Sequence, residues 1–320
     1  MSLPNEAHDP LRAALRDFLA RHRESPTAPE DFRQWWKALA GLGVFSLAVP
    51  AEQDGLGLGV EASALAFEEL GRALSPGPLV WAQLAALAVP SLADGHLIAT
   101  GTDLTARPEG DPVLVEHLAV ADKILVLDGG RVLLCDKNAL EYTELARPLD
   151  PATPVARLDG PIRGEPVGGA EMAERLRRTG TLLSAALLLG ISEAALQTAT
   201  EYAKRREQFD RPIGSFQAVK HLLADCYVRT GLARAALYAA AELETAASAG
   251  RGADLSVAKL LCGRAADGNA RTAVQVLGGM GFTWETTPHL LLKRAWVLEN
   301  SFGTGEEHAL LVGRDLEAIA

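Results

Sequence analysis

A cluster of basic side chains in an otherwise acidic chain is the first candidate for a ligand-binding site. The segment KRREQFDRPIGSFQAVKH, residues 204–221, contains Lys204, Arg205, Arg206 and Arg211. A guanidinium group has paired N–H donors that fit a phosphate, and each charge-assisted hydrogen bond contributes about 1.5–3 kcal/mol. The segment therefore predicts a phosphate-binding loop, with Gln208 and Gln217 as neutral partners. The end of a helix, whose dipole favours cations, explains the same residues, and the pattern alone slightly favours that explanation.

A glycine-rich turn is the second candidate. QVLGGMGF, residues 275–282, places Gly278 and Gly279 directly after a helical pattern. Glycine tolerates positive φ and allows a ligand to approach the backbone closely. The segment does not follow a strand, so the dinucleotide-binding pattern of a Rossmann fold is excluded. A glycine that ends a helix is the simpler interpretation, and the spacing alone favours it.

A second glycine turn, FGTGEE, occupies residues 302–307. Thr304 lies between two glycines, and Glu306 would fall in the first turn of the last helix, where acidic residues are favoured. By itself this pattern favours a capped helix start over a ligand site.

Composition excludes several other classes of function. The 320 residues carry a formal net charge of −10, which does not suit binding to nucleic acid or to an anionic membrane face. The three cysteines are far apart and no histidine cluster has metal-ligand spacing, so we expect reduced core thiols, no metal and a cytoplasmic protein. The N-terminus lacks the pattern of a signal peptide, and no stretch approaches the ~20 apolar residues of a membrane span.

Hydrophobic periodicity predicts a mostly α-helical fold with a small β domain. Helical patterns begin at Pro10, Glu30 and Glu61, and a short apolar helix lies between prolines before residue 96. Short β-rich runs follow, joined at Asp128-Gly129-Gly130 by a hairpin signal. Long helices are then predicted over 172–204, 216–247 and 254–277, and two shorter helices over 288–299 and 306–318. We expect an N-terminal helical domain (1–96), a reduced middle β domain (97–165) and a C-terminal helical bundle (166–320).

Taken in this order, the segments RREQFDRPIGSFQ, QVLGGMGF and FGTGEE resemble the acyl-CoA dehydrogenase family. The resemblance covers nearly the whole chain and implies that family's three-domain fold. It also implies FAD bound across a subunit interface. The positions that would contact a partner subunit's FAD are Arg206, Gln208, Phe209, Gln217, Gln275, Gly278 and Gly279. Thr304 and Glu306 match positions that contact the FAD of the same subunit.

The chain departs from the family at the catalytic base. The family removes a proton α to a thioester and passes the β hydrogen to FAD, and the proton requires a carboxylate. Most members carry this Glu just before the Gly-Thr of the last motif, where Phe302 stands here. Other members carry it on the first long helix of the C-terminal domain, where our alignment places Gly180. Residues 97–165 also lack the family's Thr-Glu-Pro and Gly-Ser-Asp segment that cradles the flavin.

These departures are similar to those of the shorter, catalytically degenerate subunit of actinobacterial α2β2 acyl-CoA dehydrogenases. The resemblance therefore implies a catalytic partner subunit that supplies the Glu, an acyl-CoA or steroid side-chain thioester as substrate, and an electron-transfer flavoprotein as acceptor. Two alternatives remain open. The chain could be a self-sufficient homotetramer with a relocated acid such as Glu299, or a non-redox scaffold that binds acyl-CoA.

Overall fold

Helices account for most of the fold. A computed structural model describes residues 9–22, 32–105, 107, 110–245 and 252–317. The helices are Asp9–Arg21 (α1), Phe32–Gly41 (α2), Gly59–Arg72 (α3), Leu79–Ala88 (α4), Ala170–Arg205 (α5), Gln217–Thr245 (α6), Gly252–Leu277 (α7), Pro288–Glu299 (α8) and Gly305–Glu317 (α9). The strands are Ala99–Asp103 (β1), Val113–Glu116 (β2), Lys123–Asp128 (β3), Arg131–Asp136 (β4), Tyr142–Glu144 (β5), Val155–Leu158 (β6), Glu165–Gly168 (β7), Glu207–Gln208 (β8) and Arg211–Pro212 (β9).

The mostly α-helical fold with a small β region is confirmed. The five C-terminal helices lie within two residues of their predicted bounds wherever those bounds are described. The predicted start at Glu30 lies outside the described residues. Within the described ranges the chain forms two units. One combines the residues up to Ala20, Ala64–Ser75 and those from Thr181 onward, and the other combines Arg21–Ser63 with Pro76–Gly180.

The strands of the second unit form two small sheets. One has the order β1-β3-β4-β7 and the other the order β2-β6-β5. Asp128 pairs with Arg131, so Gly129 and Gly130 form the predicted two-residue hairpin. β7 extends the strands to Gly168, past the predicted boundary at 165, because an edge strand tolerates the proline at its second position. The boundaries of the three domains stay a prediction.

The apolar side chains of both sheets form the core of this region. Its members are Val115, Leu118, Ile124, Val126, Cys135, Ala156 and Leu158. All three cysteines of the chain are buried free thiols, as the sequence predicts.

In the first unit, α3 and α5 approach closely at two glycines. A Cβ on Gly71 would lie 2.2 Å from the carbonyl oxygen of Leu187, and one on Gly190 would lie 2.0 Å from that of Glu68. Any side chain at these positions would force the helices apart. The glycines therefore set the distance between α3 and the helical bundle.

A buried polar network joins the three long helices of the same unit. The side-chain amide of Asn269 on α7 donates to the hydroxyl oxygens of Ser192 on α5 and Thr230 on α6, at 2.9 and 2.8 Å. The two hydroxyls lie 2.7 Å apart. Such a network fixes the register of the helices because a slip would leave these polar groups unsatisfied.

One helix departs from the expectation that no stretch is long and apolar enough to cross a membrane. By length and composition α5 could do so, but 83% of its most apolar window is buried inside the protein. The core of a helical bundle requires the same composition, which explains the pattern.

Candidate functional site

The arginine-rich segment folds into a short β-hairpin between α5 and α6. β8 and β9 are antiparallel, with Gln208 opposite Arg211. Phe209 and Asp210 form the turn, and their φ angles are 55° and 59°. Positive φ at both central residues is the type I′ pattern that suits a two-residue hairpin. Because neither residue is glycine, the conformation carries a steric cost, and the surrounding contacts must maintain it.

The backbone of Arg206 closes the base of this hairpin. Its amide donates to the carbonyl oxygen of Tyr202, and its own carbonyl accepts from the amide of Ile213, both at 2.8 Å. The Arg206 side chain is exposed, as are those of Gln208 and Gln217. The hairpin therefore fixes the backbone of Arg206 and leaves its guanidinium group at the surface.

Aromatic contacts support the tip of the hairpin. The Arg211 guanidinium lies over the Phe216 ring, 4.1 Å from its centroid, and the Phe209 ring meets Phe216 edge to face at 6.1 Å. Phe209 is nevertheless 85% exposed. A large apolar ring held in the open is suited to contact with another molecule.

The first glycine turn follows α7 as a short 3₁₀ helix, Gly278–Phe282. Gly278 has φ +62°, and a Cβ at Gly278 or Gly279 would meet nothing within 4 Å. Gln275 is exposed one turn earlier. Packing within the chain therefore does not require a glycine at position 279. The exposed glycine backbone at this point fits a ligand that approaches the main chain closely.

The second glycine turn forms hydrogen bonds with itself. The amide of Thr304 donates to the Glu307 carboxylate at 2.7 Å, and the amide of Glu307 donates to the Thr304 hydroxyl at 3.2 Å. This reciprocal pair is a capping box at the start of α9. The sequence-based expectation of a capped helix start is confirmed. Glu306 is exposed in the first turn of the same helix.

Glu299 also closes this turn. Its carboxylate accepts a hydrogen bond of 3.0 Å from the amide of Gly305. A Cβ on Gly305 would lie 3.0 Å from the same oxygen, so this glycine allows the contact. The carboxylate is therefore occupied in joining the end of α8 to the start of α9.

A fully buried lysine holds the turn from beneath. The ammonium of Lys259 on α7 donates to the carbonyl oxygens of Leu298 and Ser301, both at 2.7 Å, and to the Ser184 hydroxyl at 3.2 Å. A buried ammonium is stable only where acceptors surround it. Periodicity alone could not identify this role, because Lys259 lies on the apolar face of α7.

His308 supports the same turn from α9. One ring nitrogen, Nε2, lies 3.0 Å from the carbonyl oxygen of Phe302, and Nδ1 lies 3.0 Å from the Ser256 hydroxyl. Because a carbonyl only accepts, Nε2 carries the proton and Nδ1 accepts from the serine. Burial lowers the pKa of His308, so the ring is neutral at pH 7.

Phe302 occupies this supported turn with a φ of 57°. Its phenyl ring cannot take a proton. Gly180, where the resemblance places the alternative position of the family's base, is buried in α5 and has no side chain.

A buried charge cluster was not found from the sequence. Glu68 and Glu69 on α3 are each 1% exposed. Glu68 pairs with Arg12 at 3.4 Å and with Arg234 at 2.9 Å, and Glu69 pairs with Arg16 at 2.7 Å. Adjacent acidic residues in a helix normally indicate a solvent-exposed face, so only knowledge of the arginine partners identifies Glu68 and Glu69 as core residues.

In the described ranges no group of three or more His, Cys, Asp or Glu side chains could hold a metal.

The predicted cofactor contacts thus belong to three segments, each assembled locally. Arg206, Gln208, Phe209 and Gln217 share the hairpin and the start of α6. Gln275, Gly278 and Gly279 share the end of α7, and Thr304 and Glu306 share the start of α9. Their contact with a cofactor stays a prediction.

Comparison with protein families gives two matches. The acyl-CoA dehydrogenase N-terminal domain matches residues 5–96, and the acyl-CoA dehydrogenase C-terminal domain matches residues 169–317. These domains define an oxidoreductase of the class that acts on a carbon–carbon single bond. The chain belongs to the acyl-CoA dehydrogenase family, whose members bind FAD.

Three similar proteins come from Mycobacterium tuberculosis. Acyl-CoA dehydrogenase IpdE2 is 33% identical over 313 residues, which cover 91% of this chain and 92% of IpdE2. Acyl-CoA dehydrogenase FadE34 is 36% identical over 307 residues, but this match covers 88% of this chain and only 42% of FadE34. This chain is also similar to a chain in the crystal structure of the ChsE4-ChsE5 complex, with a TM-score of 0.84 and 27% identity. The match covers 99% of this chain and 99% of that chain.

Proposed function

We propose that this chain is the non-catalytic subunit of a heteromeric acyl-CoA dehydrogenase. Its exposed hairpin and glycine turn contact an FAD that is bound by a catalytic partner subunit. The complex desaturates an acyl-CoA thioester between the α and β carbons, and the resemblance favours a steroid side-chain thioester as substrate. An electron-transfer flavoprotein is the proposed acceptor.

The turn at Phe302 is the observation that carries this proposal. Proton removal from the α carbon requires a base within hydrogen-bonding reach. Phe302 and Gly180 have no titratable group, and the nearby acid Glu299 accepts from the amide of Gly305. The turn therefore keeps its shape through its own hydrogen bonds and offers no carboxylate at the position that the family uses.

The exposed segments fit the phosphate-bearing part of FAD. Arg206 offers a guanidinium group at the surface, and the open backbone at Gly278 and Gly279 leaves space for a ligand to approach the main chain. A guanidinium group beside an unobstructed glycine backbone suits a pyrophosphate. When bound, FAD supplies the acceptor for the hydride, and the part of this chain is to bind and orient it.

Two relatives support a second subunit. ChsE4-ChsE5 is a complex of two proteins by its own description. More than half of FadE34 lies outside the region that matches this chain, which leaves room for a second unit of similar size within one polypeptide.

Co-expression with a full-length acyl-CoA dehydrogenase chain that carries the catalytic Glu tests the proposal. We expect a stable yellow complex that carries oxidised flavin, and acyl-CoA desaturation that neither chain shows alone. Arg206→Ala should lower FAD retention by about 10- to 100-fold, the loss of one charge-assisted contact, without preventing assembly. A yellow, active oligomer of this chain alone would overturn the proposal. A complex that stays colourless after FAD addition would instead favour the scaffold alternative.

A further inference from the structure

Two large aromatic side chains are exposed beside the open glycine turn. Phe282 and Trp284 are 70% and 67% exposed, and Met280 is 39% exposed. We refer to residues 280–284 as the aromatic segment. Neither ring belongs to the predicted FAD contacts.

The backbone of the aromatic segment is held by local hydrogen bonds. The carbonyl oxygen of Met280 accepts from the Thr283 hydroxyl at 3.0 Å and from the Thr286 hydroxyl at 2.5 Å. A Cβ on Gly281 would lie 2.8 Å from the carbonyl oxygen of Val274, so this glycine lets the segment pack tightly against the end of α7. The exposed rings therefore project from a backbone that is ordered before any partner arrives.

The ring of Trp284 is itself held in place. The buried His289 ring meets it edge to face, with the centroids 5.1 Å apart, and the Lys293 ammonium lies 5.1 Å from its centroid. Both partners lie on α8. An aromatic side chain fixed before binding loses little entropy when a partner covers it, which is typical of interface hot spots.

The apolar area is large for an uncovered surface. At these exposures the two rings present about 300 Å² together, if each side chain has an accessible area near 200 Å². That is comparable to the largest apolar patch on a typical monomer, and roughly a third of what one partner buries in a standard interface. The aromatic segment is therefore suited to be the apolar centre of an interface.

The position of the segment identifies the occupant. It continues directly from Gly278 and Gly279, the turn that the proposed function assigns to FAD held by the catalytic partner. A subunit that places its FAD on this turn must also cover the residues next to it. We propose that the aromatic segment is the apolar anchor by which this chain docks on its catalytic acyl-CoA dehydrogenase partner, with Trp284 as the principal contact. This inference rests on the proposed function.

Affinity measurements between the two separately purified chains test the anchor. The probe is the catalytic acyl-CoA dehydrogenase chain that assembles with this one on co-expression, purified separately and titrated by calorimetry against the wild-type chain, Trp284→Ala and Phe282→Ser. We expect the dissociation constant to rise by about 30-fold for Trp284→Ala and about 10-fold for Phe282→Ser, within the range of hot-spot truncations. The factor by which each variant raises the dissociation constant should be the same at low and high salt, because an apolar contact is not screened by ions.

Two controls separate packing from docking. Leu149→Ser removes an exposed apolar side chain elsewhere in the chain and should leave the affinity unchanged. All variants should keep the urea midpoint of the wild type, and Trp284→Phe should recover most of the affinity.

The outcomes also separate this inference from the proposed function. If the wild-type chain binds no partner, the proposed function fails. If the wild type binds and Trp284→Ala binds equally well, only the anchor is overturned. If the wild-type chain alone is a dimer that Trp284→Ala converts to a monomer, the occupant is a second copy of this chain, and the anchor proposal is wrong.

Discussion

The two glycine turns of this chain use their backbones in opposite ways. Over Gly278 and Gly279 the space is open, and the adjoining rings are exposed. At Gly303 a Cβ would lie 2.8 Å from Nε2 of His308, and the surrounding amides and carbonyls are paired within the chain. The difference shows that a pair of glycines near the end of a helix can have two different structural roles. One turn closes the bundle through its own hydrogen bonds, and the other leaves its backbone exposed.

Removing the lysine beneath the closed turn should give the largest effect. We expect Lys259→Met to lower the free energy of unfolding by about 3 kcal/mol, because the Leu298 and Ser301 carbonyls both lose the charged ammonium donor while the side-chain volume is kept. Urea unfolding followed by circular dichroism measures this. Lys220→Met on the exposed face of α6 is the matched control and should change stability by less than about 0.5 kcal/mol. Equal losses in the two variants would contradict the assigned role of Lys259.

Alanine at each glycine turn compares the two regions directly. Gly303→Ala should cost about 2 kcal/mol, since the residue has a φ of +97° and the new Cβ would displace His308 from the Phe302 carbonyl. Gly279→Ala should leave stability within about 0.5 kcal/mol of the wild type, because its Cβ meets nothing. The flavin content of the complex should fall only for Gly279→Ala. The contrast between the turns would be lost if Gly279→Ala proved the less stable variant.

The carboxylate of Glu299 should make a smaller contribution. Glu299→Ala is expected to cost about 1–2 kcal/mol through the lost hydrogen bond to Gly305, whereas Glu299→Gln keeps an acceptor and should cost less than about 1 kcal/mol. Neither change should alter desaturation by the assembled complex beyond what lower stability explains. Turnover abolished by Glu299→Gln would show instead that Glu299 is the base, as the homotetramer alternative requires.

The regular elements could be predicted from the sequence because their signals are local. Apolar periodicity located the long helices, and Gly129-Gly130 located the hairpin. The capping box could also have been found, since Thr304 and Glu307 have its spacing. Lys259 and Glu68 could not, because each is identified by partners distant in sequence and a charged residue is ordinarily a surface signal. The exposure of Trp284 likewise required the structure, because the sequence suggests core packing for a tryptophan equally well.

The smallest expected effect is a pH dependence of the closed turn. Burial lowers the pKa of His308 below its ordinary value near 6.5, so the unfolded chain binds the proton first as pH falls. The stability that His308 contributes is therefore fully present above about pH 6.5 and is lost as pH falls below it, with a slope of at most about 1.4 kcal/mol per pH unit. Protonation also removes the acceptor at Nδ1 that the Ser256 hydroxyl uses.

Urea unfolding at several pH values between 5 and 8 measures this slope. The contribution of a second histidine to the slope must be separated from that of His308. Burial, and then the nearby Lys293, lower the pKa of His289 beside the aromatic segment, so both histidines reduce stability in the same direction as pH falls. His308→Gln and His289→Gln should each remove part of the slope, and the double variant should remove their sum because the two rings support different turns. If His289→Gln alone removed the whole slope, the neutral His308 would not be what makes the closed turn sensitive to pH.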